Sequence, residues 1–178
     1  MKKKAFFLDR DGTIIIDKGY LDDPKDIEFI EGIPELLIQI KSKGYLLVII
    51  SNQSGVARGY FDEENVQMIN STLKEKLINE YDLAIDGIYY CPHHPDKGHG
   101  KYRQECDCRK PKPGMVLQAI KDLDIDVSQS VMVGDKDSDE IRLEGLDFIK
   151  ILKDTNWSYD KKILDYLLEP ADKGVRNV

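Results

Sequence analysis

Near its amino terminus the chain carries the segment AFFLDRDGT, residues 5–13. The four apolar residues 5–8 predict a short buried strand, and the polar residues from Asp9 to Gly12 end it in a turn. Continuous apolar strands of this kind are typical of parallel sheets that helices cover on both faces. Because ligands of such sheets bind beyond the carboxyl ends of the strands, we expect function where this strand ends.

The rest of the chain alternates predicted helices and strands. Helical spacing of apolar residues predicts helices over 34–43, after a cap at Asp62, from Pro113 to 123, and over 163–168. Apolar runs predict strands over 45–50, 87–90, 130–133 and 148–152. This alternation predicts a single α/β domain over residues 1–178 with a doubly wound, mostly parallel sheet. Neither 13–33 nor 54–91 is long enough for a large cap domain, so we expect an open site.

Composition excludes several classes of protein. The 178 residues are 41% hydrophobic and 33% charged, as in ordinary globular domains, and the formal net charge is -7 at pH 7. An acidic protein is repelled by nucleic acid and by anionic membranes, so we expect neither as a partner. The apolar runs are too short to span a bilayer, and we expect no signal peptide and a cytoplasmic protein. Since no heptad repeat is present, a monomer is the simpler expectation.

Two acidic pairs follow two different predicted strands. Asp9 and Asp11 come directly after the first strand, and Asp135 and Asp139 follow the strand at 130–133. An acidic pair alone is weak evidence for a functional site, since most such pairs are helix caps or lie in solvated loops. Four converging carboxylates would repel one another, however, and a Mg²⁺ ion with oxygen ligands removes that repulsion. The sequence therefore predicts a magnesium site at the carboxyl edge of the sheet.

All three cysteines of the chain fall in one short region. Cys91 and His93 precede a loop that ends at Cys106 and Cys108, so three thiolates and an imidazole are available for a tetrahedral Zn²⁺ site. Buried free thiols are the alternative. His94 competes with His93 as the ligand, and we favour His93 because its spacing from Cys91 matches that of the second pair. Four protein ligands leave no open position, so this loop, residues 91–108, is expected to hold structural zinc.

Four motifs resemble those of the haloacid-dehalogenase superfamily of phosphatases, and they occur in the expected order. They are DRDGT at 9–13, SNQ at 51–53, Lys110, and GDKDSD at 134–139. The resemblance implies a Rossmann-like core and covalent catalysis in which Asp9 is the nucleophile and Asp11 the general acid and base. It also implies that Ser51 and Lys110 stabilise the phosphoryl group, and that Mg²⁺ is held by Asp9, Asp135 and the backbone carbonyl of Asp11.

The cysteine region resembles one subgroup of that superfamily, which contains the heptose 1,7-bisphosphate phosphatases and the histidinol-phosphate phosphatases. The matching segments are CPHHP at 91–95 and CDCRKP at 106–111. The longer loop and the segment SNQSGVARGYF at 51–61 favour the heptose branch, in which a small phosphorylated sugar loses its 7-phosphate during biosynthesis of a nucleotide-activated heptose for surface polysaccharide. The substrate contacts that the resemblance implies are Asp17, Lys18, Gly19, Tyr20, Ser51, Asn52, Gln53, Ser54, Arg109 and Lys110.

Two positions depart from the subgroup pattern. Ser51 stands where Thr is common, which keeps the hydroxyl, and Lys18 stands where His is expected. Arg58 is as easily a solvated charge as a phosphate contact. Histidinol-phosphate phosphatase remains the second enzyme hypothesis, and a catalytically inactive zinc-bearing binding module is the alternative of another class. The sequence does not fix the anomer at C1, the oligomeric state or the role of residues 155–178.

Overall fold

Five parallel strands form one sheet in the computed structural model, which describes residues 2–168. The strands are β1 Ala5–Leu8, β2 Leu46–Asn52, β3 Gly87–Cys91, β4 Val131–Gly134 and β5 Asp147–Lys150. Their order across the sheet is β3-β2-β1-β4-β5, and each neighbouring pair is parallel. β1 is therefore the central strand, in agreement with the burial of all four of its residues.

The helices cover both faces of this sheet. They are α1 Ile33–Ser42, α2 Gly55–Arg58, α3 Glu63–Tyr81, α4 Gly114–Leu123 and α5 Lys161–Leu168. The Asp62 carboxylate accepts a hydrogen bond from the Asn65 backbone N–H, so Asp62 caps α3 as predicted. α1 begins after Gly32, whose φ of 79° suits a residue without a side chain.

Two apolar clusters form the core, one on each face of the sheet. Phe6 and Leu8 of β1 point into the larger cluster, which also contains buried residues of α1, α3 and α5. Phe7 points to the opposite face, where Val116 and Ala119 of α4 pack. Alternate residues of β1 thus face different helices, and this confirms the predicted doubly wound α/β sheet.

The element boundaries differ from the predicted ones in a few places. β2 continues to Asn52, two residues beyond the apolar run, because Ser51 and Asn52 pair with β3. β5 ends at Lys150 instead of 152, since its partner β4 ends at Gly134. The short helix α2 was not predicted. Pro113 lies at the N-cap of α4, one residue before the helix begins.

The connections at the carboxyl edge of the sheet are short. Between β1 and α1 the only helical turn is the 3₁₀ segment Pro24–Asp26, and between β2 and β3 the chain forms α2 and α3. Within residues 2–168 there is accordingly no large cap domain, as predicted. Asp9 and Asp135 directly follow β1 and β4, and Ser51 lies near the end of β2, so the predicted site residues gather at one edge.

Candidate active site and cysteine cluster

A cavity of about 330 Å³ opens at the carboxyl edge of the sheet. Polar side chains of both predicted acidic pairs reach it. Its walls are formed by Asp9, Asp11, Asp17, Gly19, Tyr20, Asn52, Gln53, Ser54, Gly55, Arg109, Lys110, Lys136, Ser138 and Asp139. Eight of the ten predicted substrate contacts are among these residues, and Ser51 and Lys18 are the other two.

Lys110 is buried between two carboxylates at the base of this cavity. Its Nζ lies 2.7 Å from Asp9 Oδ1 and 2.6 Å from Asp139 Oδ1, and it donates a further hydrogen bond of 2.8 Å to the Ile50 carbonyl. Burial acts to lower the pKa of Lys110, but Asp9 and Asp139 outweigh it and raise that pKa. The ammonium is therefore charged, and it fixes one oxygen of Asp9.

The backbone at Lys110 is held by Asn52 at the end of β2. The Asn52 Oδ1 atom accepts a hydrogen bond of 3.0 Å from the Lys110 N–H, and the Asn52 Nδ2 atom donates one of 3.2 Å to the Lys110 carbonyl. Asn52 can therefore act on the reacting groups through Lys110 as well as line the cavity. These two bonds hold Lys110, a loop residue distant from Asp9 in sequence, in its position beside Asp9.

Asp9, Asp135 and Asp139 form a group with the geometry of a cation site. One carboxylate oxygen from each lies within 4.8 Å of the others. Asp135 Oδ1 is buried and has no hydrogen-bond partner among the described residues. Burial, together with Asp9 and Asp139, raises the pKa of Asp135 to about 6, although Lys136 acts in the opposite direction. A buried carboxylate oxygen without a partner, beside two further carboxylates, fits a divalent cation.

Asp11 does not join that acidic group through its side chain. Its carboxylate accepts hydrogen bonds from the buried Arg10 guanidinium and, at 2.9 Å, from Gln53 Nε2. Gln53 Nε2 also lies 2.6 Å from Ser51 Oγ, which is 2% exposed. The prediction of four unpaired, converging carboxylates is therefore wrong, because Asp11 pairs with Arg10 and Asp139 pairs with Lys110.

The segment after Asp11 forms one wall of the cavity. The Asp17 carboxylate lies 3.0 Å from Lys153 Nζ and accepts a hydrogen bond of 2.8 Å from the Gly19 N–H. Burial acts to raise the pKa of Asp17, but the hydrogen bonds from Lys153 and Gly19 and the charge of Lys136 outweigh burial and lower that pKa. Lys18 points elsewhere, since its Nζ lies 2.6 Å from Glu28 in an exposed ion pair.

Arg109 was predicted as a substrate contact and Arg58 was left open, and the two side chains differ in position. Arg109 lines the cavity, and its Nη1 donates a hydrogen bond of 3.1 Å to the His93 carbonyl. Arg58 lies beside the Tyr20 ring, with 6.0 Å between its Cζ atom and the ring centroid. Arg58 is not among the lining residues of the cavity.

Cys91, His93, Cys106 and Cys108 come together beside β3. Their ligand atoms all lie within 4.8 Å of one another, with Sγ–Sγ distances from 2.8 to 3.6 Å. All three thiols are free. The bond between Cys91 and Cys108 lowers the pKa of Cys108 to about 5 and raises the pKa of Cys91. A bound metal ion would hold these sulfurs as thiolates. The predicted set of three sulfurs and one imidazole can thus hold a metal ion.

The competing ligand His94 has another partner. Its Nδ1 accepts hydrogen bonds from the Asp96 and Lys97 backbone N–H groups, at 3.1 and 3.0 Å. Tyr90 of β3 and Tyr102 of the loop tie this region to α3, because both hydroxyls donate to the Glu63 carboxylate. The choice of His93 over His94 therefore agrees with the geometry.

Comparisons with known proteins agree with this site. The chain matches the family model described as polynucleotide kinase 3 phosphatase over residues 4–163. A D-glycero-beta-D-manno-heptose-1,7-bisphosphate 7-phosphatase from Haemophilus ducreyi is 56% identical over 144 residues, which are 81% of this chain and 79% of the relative. The enzyme of the same name from Escherichia coli (strain K12) is 48% identical over 132 residues, which are 74% of this chain and 69% of the relative.

One solved structure combines the same fold with ligands. It is the D,D-heptose 1,7-bisphosphate phosphatase from B. bronchiseptica complexed with magnesium and phosphate, which is 25% identical, with a TM-score of 0.69, over 91% of this chain and 98% of that one. The fold and the site, with these likenesses, define a phosphatase of the haloacid-dehalogenase superfamily. Within it, the chain belongs to the family of D-glycero-beta-D-manno-heptose-1,7-bisphosphate 7-phosphatases.

Sequence reasoning missed two residues of this site. Lys136 lines the cavity, and its Nζ lies 3.7 Å from Asp17. Its position directly after Asp135 in the fourth motif was a signal that could have found it. Arg10 is 1% exposed, and no pattern in the sequence marks a charged residue at this position as buried. No helix within residues 2–168 has both the length and the apolarity needed to cross a membrane.

Proposed function

We propose that this protein removes the 7-phosphate of D-glycero-β-D-manno-heptose 1,7-bisphosphate and leaves the 1-phosphate in place. The observation that carries this proposal is the 56% identity to a phosphatase named for that substrate and that phosphate. The β anomer, which the sequence left open, is proposed on the same ground. The site supports it chemically, since the cavity has the size of a small-molecule site and cationic side chains at Arg109, Lys110 and Lys136.

The proposed reaction has two steps. The free oxygen of Asp9 forms a bond to phosphorus as the bond from phosphorus to the C7 oxygen breaks, and Asp11 gives its proton to that leaving oxygen. Water then attacks the aspartyl-phosphate, Asp11 takes a proton from the water, and the bond from phosphorus to Asp9 breaks. Lys110 and the Ser51 hydroxyl stabilise negative charge on the phosphoryl oxygens. Because Lys110 bonds to Oδ1 of Asp9, the other oxygen of that carboxylate, Oδ2, remains available for attack.

We assign the catalytic cation site to Asp9 and Asp135, with the Asp11 carbonyl as a further ligand, and the proposed ion is Mg²⁺. Bound there, the ion would neutralise charge on the phosphate and on both carboxylates. The unpaired, buried Asp135 Oδ1 supports this assignment. So does the tight space opposite it, since a Cβ atom built at Gly12 would lie only 3.0 Å from Asp135 Oδ2. Asp139 contributes by holding Lys110.

We assign structural Zn²⁺ to Cys91, His93, Cys106 and Cys108. This ion would shape the wall of the active site, because the carbonyl of the ligand His93 accepts a hydrogen bond from Arg109. The proposed zinc ligand His93 is thus linked through its own backbone carbonyl to Arg109, which lines the cavity.

The variant Cys106→Ser should lose zinc and bind substrate more weakly. Since Arg109 then loses its fixed position, we expect KM for the bisphosphate to rise about 10-fold, as for loss of a charge-assisted hydrogen bond, with a smaller change in kcat. Elemental analysis and steady-state kinetics measure both effects. Gln104→Ser, in the exposed part of the same loop, is the control. A zinc-free Cys106→Ser protein with unchanged KM would contradict the coupling.

Three other hypotheses give different outcomes in the same assay. If the protein prefers histidinol phosphate, it acts in the other branch of its subgroup. If it prefers 3′-phosphorylated polynucleotides, in line with the description of the family model, the expectation that an acidic protein with a net charge of -7 does not bind nucleic acid is wrong. A protein that released phosphate from none of these would revive the inactive zinc-bearing module. Parallel specificity constants for the three substrates decide among them. The monomeric state, the cytoplasmic location and the single domain over 1–178 stay predictions.

A further inference from the structure

Among residues 2–168, Arg10 has the largest fully buried side chain, and it lies directly behind the active site. It is 1% exposed, and it is not among the residues that line the cavity. Its guanidinium binds the Asp11 carboxylate with two hydrogen bonds, from Nε to Oδ2 at 3.1 Å and from Nη2 to Oδ1 at 3.2 Å. Two parallel bonds fix the plane of a carboxylate as well as its position.

The guanidinium is itself held from the opposite side by α3. Its third nitrogen, Nη1, donates a hydrogen bond of 2.9 Å to Oδ1 of Asn70, a residue that is 8% exposed. Asn70 lies among the apolar residues Ile69 and Leu73 of the same helix, both fully buried. A polar side chain in such a position is costly unless its hydrogen bond is made, so Asn70 holds Arg10 in one orientation.

We propose that Arg10 and Asn70 are positioning residues for Asp11. Arg10 turns the Asp11 carboxylate so that it faces the cavity, and Asn70 fixes Arg10. Neither residue lines the cavity. Asp11 would then reach the leaving oxygen in the first step and the attacking water in the second without a search among rotamers. This inference rests on the assignment of Asp11 as the general acid and base, and it does not depend on which phosphate ester is the natural substrate.

The alternative is that the Arg10–Asp11 pair only stabilises the turn after β1. Substrates with different leaving groups separate these two accounts. An aryl phosphate such as p-nitrophenyl phosphate has a stable leaving group that needs no proton, whereas an alkyl phosphate such as glycerol 3-phosphate needs one. Hydrolysis of the aspartyl-phosphate needs Asp11 with either substrate. Mispositioning of Asp11 therefore changes the two substrates differently, and a loss of folded protein changes them equally.

The experiment uses Arg10→Lys, which keeps the charge but loses the two-point contact, and Asn70→Ala, which leaves Asp11 and Arg10 intact. With p-nitrophenyl phosphate and Mg²⁺, we expect kcat to fall about 10- to 100-fold, within the range of general acid–base effects, while kcat/KM changes less than about 3-fold. Rapid mixing should then show a burst of p-nitrophenolate, about one per active site. With glycerol 3-phosphate, kcat/KM should fall as well, by about 10-fold or more.

Leu73→Val is the matched control, since it loosens the same helix α3 at a buried apolar residue that has no hydrogen bond to Arg10. It should lower the melting temperature while leaving the ratio of the two specificity constants unchanged. The proposal is overturned if Arg10→Lys and Asn70→Ala lower kcat and kcat/KM in equal proportion for both phosphates and produce no burst. Because both phosphates are simple monoesters, that result would leave the heptose assignment untouched, and failure on the heptose substrate alone would leave this proposal untouched.

Discussion

Asp9→Asn should abolish turnover and leave the protein folded. The amide oxygen of Asn is a poor nucleophile, so the aspartyl-phosphate cannot form, and we expect kcat to fall at least about 10⁴-fold, as for removal of a covalent nucleophile. The fold should survive because Lys110 keeps its second carboxylate, Asp139, at 2.6 Å. Removal of one charge also relieves repulsion with Asp135. The melting temperature of the cation-free protein should therefore stay the same or rise.

Asp137→Asn makes the same chemical change at an exposed position of the fourth motif. Asp137 pairs with Lys150 at the surface, where its side chain is 93% exposed, so this variant should retain wild-type kinetics. Phosphate release is measured with saturating Mg²⁺ and thermal unfolding with chelator. Normal turnover by Asp9→Asn would rule out covalent catalysis at this residue.

Lys110→Met should impair both activity and stability. Methionine has nearly the same length but no charge, so Asp9 and Asp139 would remain buried without the ammonium group that pairs with both of them. Breaking a buried ion pair in this way costs about 3–5 kcal/mol of unfolding free energy. Loss of one preorganised cation at the phosphoryl group should lower kcat about 10²- to 10³-fold. Urea unfolding and steady-state kinetics at pH 7 measure the two effects.

Lys112→Met is the control for this variant. Lys112 lies two residues away and pairs with Glu105, but the two side chains are 46% and 75% exposed, so the change should alter neither quantity measurably. Added Mg²⁺ should restore part of the stability of Lys110→Met, because the ion supplies positive charge to Asp9. If Lys110→Met unfolded at the same urea concentration as the control, the buried pairs would have no net stabilising role.

Local sequence patterns predicted the fold well, because a strand that is buried on both faces has a continuous run of apolar residues. The apolar runs at 5–8 and 87–90 predicted β1 and β3 within a residue, and Asp62 marked the start of α3. The limits of β2 and β5 depend on how far the neighbouring strand extends, which no local pattern contains. For the same reason the short helix α2 was missed.

The sequence predicted which residues form the site better than it predicted the hydrogen bonds and ion pairs between them. The motifs correctly brought Asp9, Lys110 and Asp135 to one edge, because each follows or faces the end of a strand. The partner of Arg10 could not be predicted, since Asn70 is 60 residues away in sequence and only the packing of α3 brings the two side chains together. Lys18 similarly pairs with Glu28 in a way that its sequence neighbours do not indicate.

The most direct test of the account is phosphate release at fixed Mg²⁺ from both anomers of heptose 1,7-bisphosphate and from histidinol phosphate, with Asp9→Asn as the blank. We predict the highest kcat/KM for the β anomer, as for the relatives named for it. Its kcat/KM should exceed that for histidinol phosphate by about 10-fold or more, as expected when a cationic site binds a second phosphate. Phosphorus NMR of the product should show that the 1-phosphate is retained. A higher kcat/KM for histidinol phosphate, or release of the 1-phosphate, would contradict the account.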